Sequence, residues 1–379
     1  MINFYIAAFL ADLALGAVLL SLPLLLIYNF GASSLTLGLF GALGAFVYCS
    51  GVITAGRLSD RLNRKGIIIA GCLLFAAVYS AVPFLRRIEH IFLIYIFGSI
   101  SMSMFWPTIQ SWISQGLNRK DLVRSLANFN ISWSMGLMLG FLSAGALFSF
   151  GKEAPFLFGA FFILIVILFL LRQPVFSEMR DETAKRAFLL TEKERPPAAK
   201  RFLYIAWIAN FMSWYILGTV RNMFAKLGTE LGFSAFVIGA LVFLFILAQS
   251  VMFFVLGRTA AWHYKIVPIT ALQIFAALGL IALAHSSRPA HIAAAMVLLG
   301  LSGGMTYFSS IFYSLYGFID KGKRSGLHEA VIGTGSFFGP LVGGFAARGF
   351  GVRAPYHTAA VLLAAVIAVE LFLYRKRRG

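Results

Sequence analysis

Three carboxylic acids stand inside long apolar runs of this 379-residue chain, Asp12, Glu329 and Glu370, while the other 11 of its 14 acids fall in polar segments or at run ends. Asp12 follows Phe4 by eight residues, about 12 Å along a helix that rises about 1.5 Å per residue. At that depth in a membrane-spanning helix an ionised carboxylate is costly. Such a group can take up a proton, meet a cationic substrate, or hydrogen-bond a neighbouring helix for structure. His328 and Glu329 follow Lys321, Lys323 and Arg324 at the start of another apolar run. An acid in a first helical turn is favoured by the helix dipole, and a His–Glu pair can also relay protons. Asp12, His328 and Glu329 are therefore the candidates for a proton-coupling or cation site. Glu370 sits one turn before the basic cluster Arg375 to Arg378 and reads as interfacial, without a role.

Arg221, in Gly218-Thr-Val-Arg-Asn222, closes an apolar run. It can bind an anionic substrate or keep its head in water at a membrane surface. Polar and aromatic residues that could line a cavity are Trp106, Gln110, Asn130, Trp133 and Asn128 in the first part of the chain, and Asn210, Trp214, Gln249, Gln273 and Tyr307 in the second. For each polar one, hydrogen bonding between helices competes with substrate contact. Pro107, after Trp106, is expected to kink its helix and free a carbonyl.

Other chemistry has no foothold. No Ser/His/Asp set, paired-His metal motif or phosphate-cradling glycine loop is present, so the chain does not read as an enzyme. Cys49 and Cys72 both lie within apolar runs, without metal-ligand spacing, so neither a disulfide nor a metal is expected.

The elements that must position these residues follow from composition. The chain is 60% hydrophobic and 12% charged, with a mean hydropathy of +0.86, whereas soluble domains carry about 25% charged residues. Apolar runs long enough to span hydrocarbon fall at Phe4–Tyr28, Leu35–Ala55, Gly66–Leu85, Ile91–Ile113, Leu126–Phe150 and Pro155–Leu171, then at Phe202–Phe224, Ala235–Leu256, Ile266–Ala284, Ile292–Ile319, Leu327–Ala347 and Ala359–Tyr374. They are continuously apolar rather than alternating, which excludes barrel strands. The fold class is all-α and integral to the membrane, with twelve transmembrane helices. The start lacks a basic leader and carries Asp12, so it reads as the first of these helices rather than a cleaved signal.

With the N-terminus inside, Lys and Arg divide 24 on the cytoplasmic side against 8 on the other. That bias puts both termini in the cytoplasm. The net charge of +18 is then mostly topology, and no nucleic-acid partner is implied. The polar stretch 173–201, with Pro196-Pro197, reads as a cytoplasmic linker between six-helix bundles at 1–172 and 202–379. The halves repeat at an offset of 201: Gly31 with Gly232, Ser33 with Ser234, Gly38 with Gly239, Gly56 with Gly257, Arg57 with Arg258, and Arg64 with Lys265. Two pseudo-symmetric bundles with a path between them are what duplicated transporters show.

Between the second and third runs stands Gly56-Arg-Leu-Ser-Asp60-Arg61-Leu-Asn63-Arg64-Lys65. This resembles the signature loop of the major facilitator superfamily, with Asn63 where the family has a glycine; Asn also tolerates positive φ. The second-half loop, Gly257 to Lys265, keeps the glycine and the end cation but not Asp-Arg. The resemblance implies a cytoplasmic gate in which Gly56, Asp60, Arg61, Arg64 and Lys65 latch helix ends together, with the start of the eleventh helix as their dock. The alternative is that the cations only enforce topology.

Small residues recur at packing intervals, Gly136 with Gly140, and Gly335 with Gly339, Pro340 and Gly343. The second run also resembles a glycine–proline motif that proton-driven exporters of the superfamily carry in the other half, and reads first as a packing and hinge element. The arginine that drug–proton exporters carry in the fourth helix is absent from Ile91–Ile113, and the sugar-porter sequence after the sixth helix is matched poorly. The resemblance thus implies a secondary transporter of a small organic molecule, working by alternating access as a monomer in the plasma membrane. It uses no cofactor and draws on the proton gradient. Export of a partly apolar compound leads, with import of an organic acid through Arg221 as the alternative, and lipid translocation or a receptor role behind them.

Overall fold

A computed structural model describes residues 2–59, 64–113, 119–172, 198–315 and 321–375. Twelve helices long and apolar enough to cross a membrane lie within these residues. They are α1 (Ile2–Phe30), α2 (Ser34–Ser59), α3 (Arg64–Ser80), α4 (Ile88–Ile113), α5 (Arg119–Phe150), α6 (Ala154–Leu171), α7 (Ala199–Glu230), α8 (Ala235–Leu256), α9 (Ile266–His285), α10 (Pro289–Leu315), α11 (Lys321–Phe350) and α12 (Ala354–Arg375). No strand occurs among the described residues. Several helices outrun their apolar cores, notably α1, α5, α7 and α11. Intrahelical hydrogen bonds do not stop where hydrocarbon does, so hydropathy marks the span and not the helix. α3 is shorter than its apolar run, because Pro83 can neither donate a backbone bond nor prolong the helix, and Val82–Phe84 turn as a 3-10 segment. Residues 199–201, read from the sequence as linker, are the first turn of α7.

Within the first half α1 packs on α5 and α6, and α3 on α4 and α6; in the second, α7 packs on α11 and α10, and α9 on α10 and α12. The halves meet along two seams, α2 against α11 and α5 against α8. The most enclosed helix is α1, with 78% of its apolar window buried, and the least is α12, with 22%, so α12 faces outward while α1 forms the interior.

The sequence repeat is visible as geometry. Gly31 and Gly232 both take positive φ, +59° and +77°, a conformation that suits glycine at a tight helix–helix turn. Two residues on, Ser33 and Ser234 cap the next helix: Ser33 Oγ accepts the Thr36 N–H at 3.1 Å, and Ser234 Oγ the Val237 N–H at 3.3 Å. One turn further, a Cβ on Gly38 would stand 2.5 Å from Pro340 O and 2.7 Å from Gly344 Cα of α11, and one on Gly239 would stand 2.7 Å from Phe141 O of α5. Equivalent glycines thus bring each second helix of a half into backbone contact with the opposite half. Both contacts lie at the end of the bundle away from the two termini, and they close that end.

Candidate functional site

Between the halves lies a cavity holding about 1110 Å³ of space free of protein atoms, its mouth included. Its walls are helical stripes. α1 contributes Asp12, Leu15 and Leu19, and α5 contributes Trp133, Leu137 and Phe141. From the second half come Trp214, Leu217 and Arg221 of α7, with Glu329, Ile332 and Ser336 of α11. These spacings of three, four, seven or eight residues keep side chains on one helical face. Tyr48 of α2, Tyr79 of α3, Tyr95 and Trp106 of α4 and Tyr307 of α10 add an aromatic lining.

Charge enters from both halves. Asp12 from α1 and Glu329 from α11 line the same space, and the hydroxyls of Tyr48 and Tyr307 lie within electrostatic range of both carboxyls. Arg221 brings a guanidinium within electrostatic range of Tyr95. A cavity with two acids, one base and aromatic walls can hold an amphipathic organic molecule and offer it polar contacts at fixed places.

Three candidate residues, and Glu370 with them, sit differently from their expected place. Arg221 is not at a helix end, since α7 continues to Glu230 and the side chain lines the cavity. Glu329 is not in a first turn, because α11 begins at Lys321; the dipole account of its position therefore fails. Beside it, His328 is buried away from the cavity, with Nδ1 2.8 Å from Ser310 Oγ and its ring 5.2 Å from that of Tyr307. Glu370, read as interfacial, is fully buried and accepts a hydrogen bond from Gln273 Nε2 at 2.9 Å, joining α12 to α9. It lies on the face of α12 that meets the bundle, with Tyr356, Ala359 and Leu363.

Trp106, Trp133, Trp214 and Tyr307 do line the cavity. Asn130 supports it from behind: the Trp133 indole N–H donates to Asn130 Oδ1 at 2.9 Å, and the ring lies edge-on to Tyr307 at 5.7 Å. Asn210 and Gln249 are buried in α7 and α8, off the cavity wall, and Asn128 is exposed. Gln110 lies in α4, with its side chain outside the described residues. The tyrosines Tyr48, Tyr79 and Tyr95, with Ser99 and Ser336, were not singled out from sequence. Their signal was the stripe itself: Gly44 and Tyr48 are four residues apart, as are Tyr95 and Ser99, while Ser336 is seven from Glu329.

The packing glycines meet backbone. A Cβ on Gly140 would stand 2.6 Å from Leu13 O and 2.8 Å from Gly16 Cα, and Gly136 faces Phe9 O of the same helix α1. A Cβ on Gly335 would stand 2.5 Å from Phe211 O, Gly339 faces Tyr215 O, and Gly343 abuts Met223 and Pro355. Thus α1 and α7, the helices that carry Asp12 and Arg221, are each pressed against a glycine-bearing neighbour.

Of the loop motif, Gly56 lies in α2 with its surroundings outside the described residues, as are Asp60 and Arg61 entirely. Arg64 opens α3, and Lys65 Nζ donates to the Leu171 carbonyl at 2.6 Å, satisfying a C-terminal carbonyl of α6 within the same half. The second-half counterpart is held by aromatic contacts. Trp262 is buried with its N–H on Leu256 O at 3.2 Å, the Tyr264 N–H donates to Tyr313 Oη at 2.7 Å, and His263 stacks on Phe312 at 4.4 Å. Burial pulls the His263 pKa below its usual value.

Twelve apolar helices in two six-helix halves around a shared cavity are the scaffold of a membrane transporter, not of an enzyme. The chain belongs to the Major Facilitator Superfamily, whose profile matches residues 4–321 and 206–379. It is similar to multidrug resistance protein 1 of Bacillus subtilis (strain 168), with 25% identity over 355 residues, spanning 87% of this chain and 86% of that protein. Multidrug resistance protein 2 of the same strain is 23% identical over 227 residues, 57% of this chain and 55% of that one. Among solved structures, the nucleoside transporter NupG superposes with a TM-score of 0.72 at 14% identity, covering 99% of both chains. A structure described for proton dependent oligopeptide transporters reaches a TM-score of 0.76 at 12% identity, over 98% of this chain and 97% of its own. At such identities the two structures speak for the fold alone.

Proposed function

We propose that this transporter exports a small, partly apolar organic molecule across the plasma membrane in exchange for protons, by alternating access to the central cavity. One observation carries the reading: carboxyls from opposite halves, Asp12 and Glu329, share an aromatic-walled space between bundles. A proton or a cationic substrate that binds the two acids differently in the two states can shift their balance. The multidrug resistance names of the two relatives support export. The basic bias of 24 to 8 supports termini in the cytoplasm, with Asp60, Arg61 and Arg64 as part of the gate on that side. In proteoliposomes Asp12→Asn should abolish pH-driven uptake yet leave counterflow exchange. Unchanged pH-driven uptake removes Asp12 from the coupling.

A second reading, import or facilitation of an organic acid, draws support from the guanidinium of Arg221 on the cavity wall. Arg221→Gln separates the two: an organic-acid carrier loses transport, and an exporter of cations or neutral molecules is indifferent.

A further inference from the structure

A second cleft lies far from the central cavity, at the α9–α10 hairpin on the end of the bundle away from the termini. It holds about 950 Å³ of free space, solvent at its mouth included. Its rim is basic and polar, with Arg288, His285, His291 and Ser287, and none of the residues lining it is acidic. Its floor is apolar, Leu278 and Ile281.

The hairpin is pinned, and the pinning leaves donors pointing out. The Arg353 guanidinium turns inward, donating to Ala284 O at 3.1 Å, Ser286 O at 3.0 Å and Ser287 Oγ at 2.8 Å. It therefore spends its charge on the end of α9. Ser287, having accepted from Arg353, keeps its hydroxyl hydrogen for another partner. The Arg288 N–H donates to Ser286 Oγ at 3.1 Å, and that oxygen is 3.1 Å from His291 Nδ1. In the arrangement where Ser286 donates its hydrogen to Nδ1, His291 presents Nε2–H to the cleft as a donor. Arg288 and His291 are exposed. Three donors, a guanidinium, an imidazole N–H and a hydroxyl, thus surround a space without a carboxylate, which suits a phosphate oxygen cluster.

What continues from the cleft decides which phosphate. Ile274, Leu278, Ile281 and His285 follow one another at intervals of four, three and four residues, a single face of α9. Ile274 is 52% exposed, Leu278 52% and Ile281 47%. The stripe runs about 16 Å, close to the roughly 15 Å that one leaflet contributes to a hydrocarbon core of about 30 Å. An apolar track one leaflet long, ending in anion donors, matches a molecule with a fatty tail and an anionic head. We infer that the α9–α10 hairpin is a binding site for an anionic phospholipid, its phosphate held by Arg288, His291 and Ser287 and its acyl chain laid on α9.

The test uses the full-length protein in bilayer discs of equal phosphatidylglycerol and phosphatidylcholine, with retained lipid counted by native mass spectrometry. The unaltered protein should favour phosphatidylglycerol by about fivefold, as expected for a basic residue near a membrane surface. The double variant Arg288→Gln, His291→Asn should fall to within about twofold of parity. Both side chains are exposed and Arg353 is left in place, so the fold is not at risk; equal melting temperatures in phosphatidylcholine alone verify this. No preference in the unaltered protein, or a preference that survives in the double variant, overturns the site. So does a rise in melting temperature with inorganic phosphate equal to that with phosphatidylglycerol, which would assign the cleft to a free anion.

Discussion

Closure of the bundle at the end away from the termini depends on Gly38, and Gly38→Ala should prop it open. The added Cβ would lie 2.5 Å from Pro340 O and 2.7 Å from Gly344 Cα, where ordinary carbon contacts lie at about 3.5 Å. Both obstacles are backbone, so no side chain can swing aside, and α2 and α11 must part by about 1 Å. Overpacking of this kind costs about 1–3 kcal/mol, and it is paid only in the state where this end is closed. At about 1.4 kcal/mol per tenfold, the state open at this end should gain about 5- to 150-fold in relative population. The assay is labelling of a cavity residue, Ser336→Cys, by a membrane-impermeant maleimide added from the side opposite the termini, with Cys49 and Cys72 replaced by Ser. Labelling should rise for Gly38→Ala and, through the α5 seam, for Gly239→Ala. Gly66→Ala is the control, since a Cβ there meets nothing within 4 Å. Unchanged labelling in both seam variants, or an equal rise in the control, would refute closure by glycine contact.

Three further expectations follow from separate parts of the molecule. Ser33→Ala and Ser234→Ala each remove a helix cap at equivalent places in the repeat, so each should cost about 0.5–2 kcal/mol, read as similar losses of melting temperature; a loss in only one half would break the equivalence. His263 has its pKa lowered by burial, so its neutral form is favoured in the folded loop. The stability this contributes is fully present above about pH 6.5 and is lost as pH falls below it towards the lower folded pKa, because the unfolded chain takes up the proton first; His263→Phe should flatten that part of a melting-temperature profile. Glu370→Gln can still accept from Gln273, whereas Glu370→Leu strands a buried amide at a cost of about 1–3 kcal/mol, so thermal unfolding in detergent should separate the two variants.

How far the sequence discloses such features depends on whether the physics is local. Continuous apolarity marks every spanning helix, and the 201-residue offset marks turns and caps that recur in space, because both depend on near neighbours in the chain. The cavity is another matter. Asp12, Arg221 and Glu329 were visible as charges among apolar residues, but only packing shows that they share one wall space. Tyr48 and Tyr95 look like ordinary membrane aromatics until Gly44 leaves room beside them; a Cβ at Gly44 would clash with the Tyr95 ring. Glu370 failed the opposite way. The basic cluster that begins five residues on, at Arg375, suggests a surface position, yet the acid's partner Gln273 is 97 positions away, beyond any local pattern.

The glycine seams also bear on how the two halves can move. Closure by shape, as at Gly38 with Gly344 and Gly239 with Gly145, gains many small dispersion contacts and no single strong bond. Backbone pressed on backbone allows close approach in a membrane, where lipid tails offer no hydrophobic drive to hold helices together. A seam of this kind is specific when closed and gives up about a quarter to a half of its contact energy within about an ångström of separation, which suits an interface that must open repeatedly. Along the α5–α8 seam a polar contact, Ser134 with Ser250 at 2.9 Å, joins two neutral hydroxyls, each also within reach of a carbonyl of its own helix. Opening there leaves each hydroxyl with a local acceptor, so the crossing bond can break without stranding a polar group in hydrocarbon. An ion pair in the same place would hold the seam more tightly in one state, and would leave two charges to be solvated in the other.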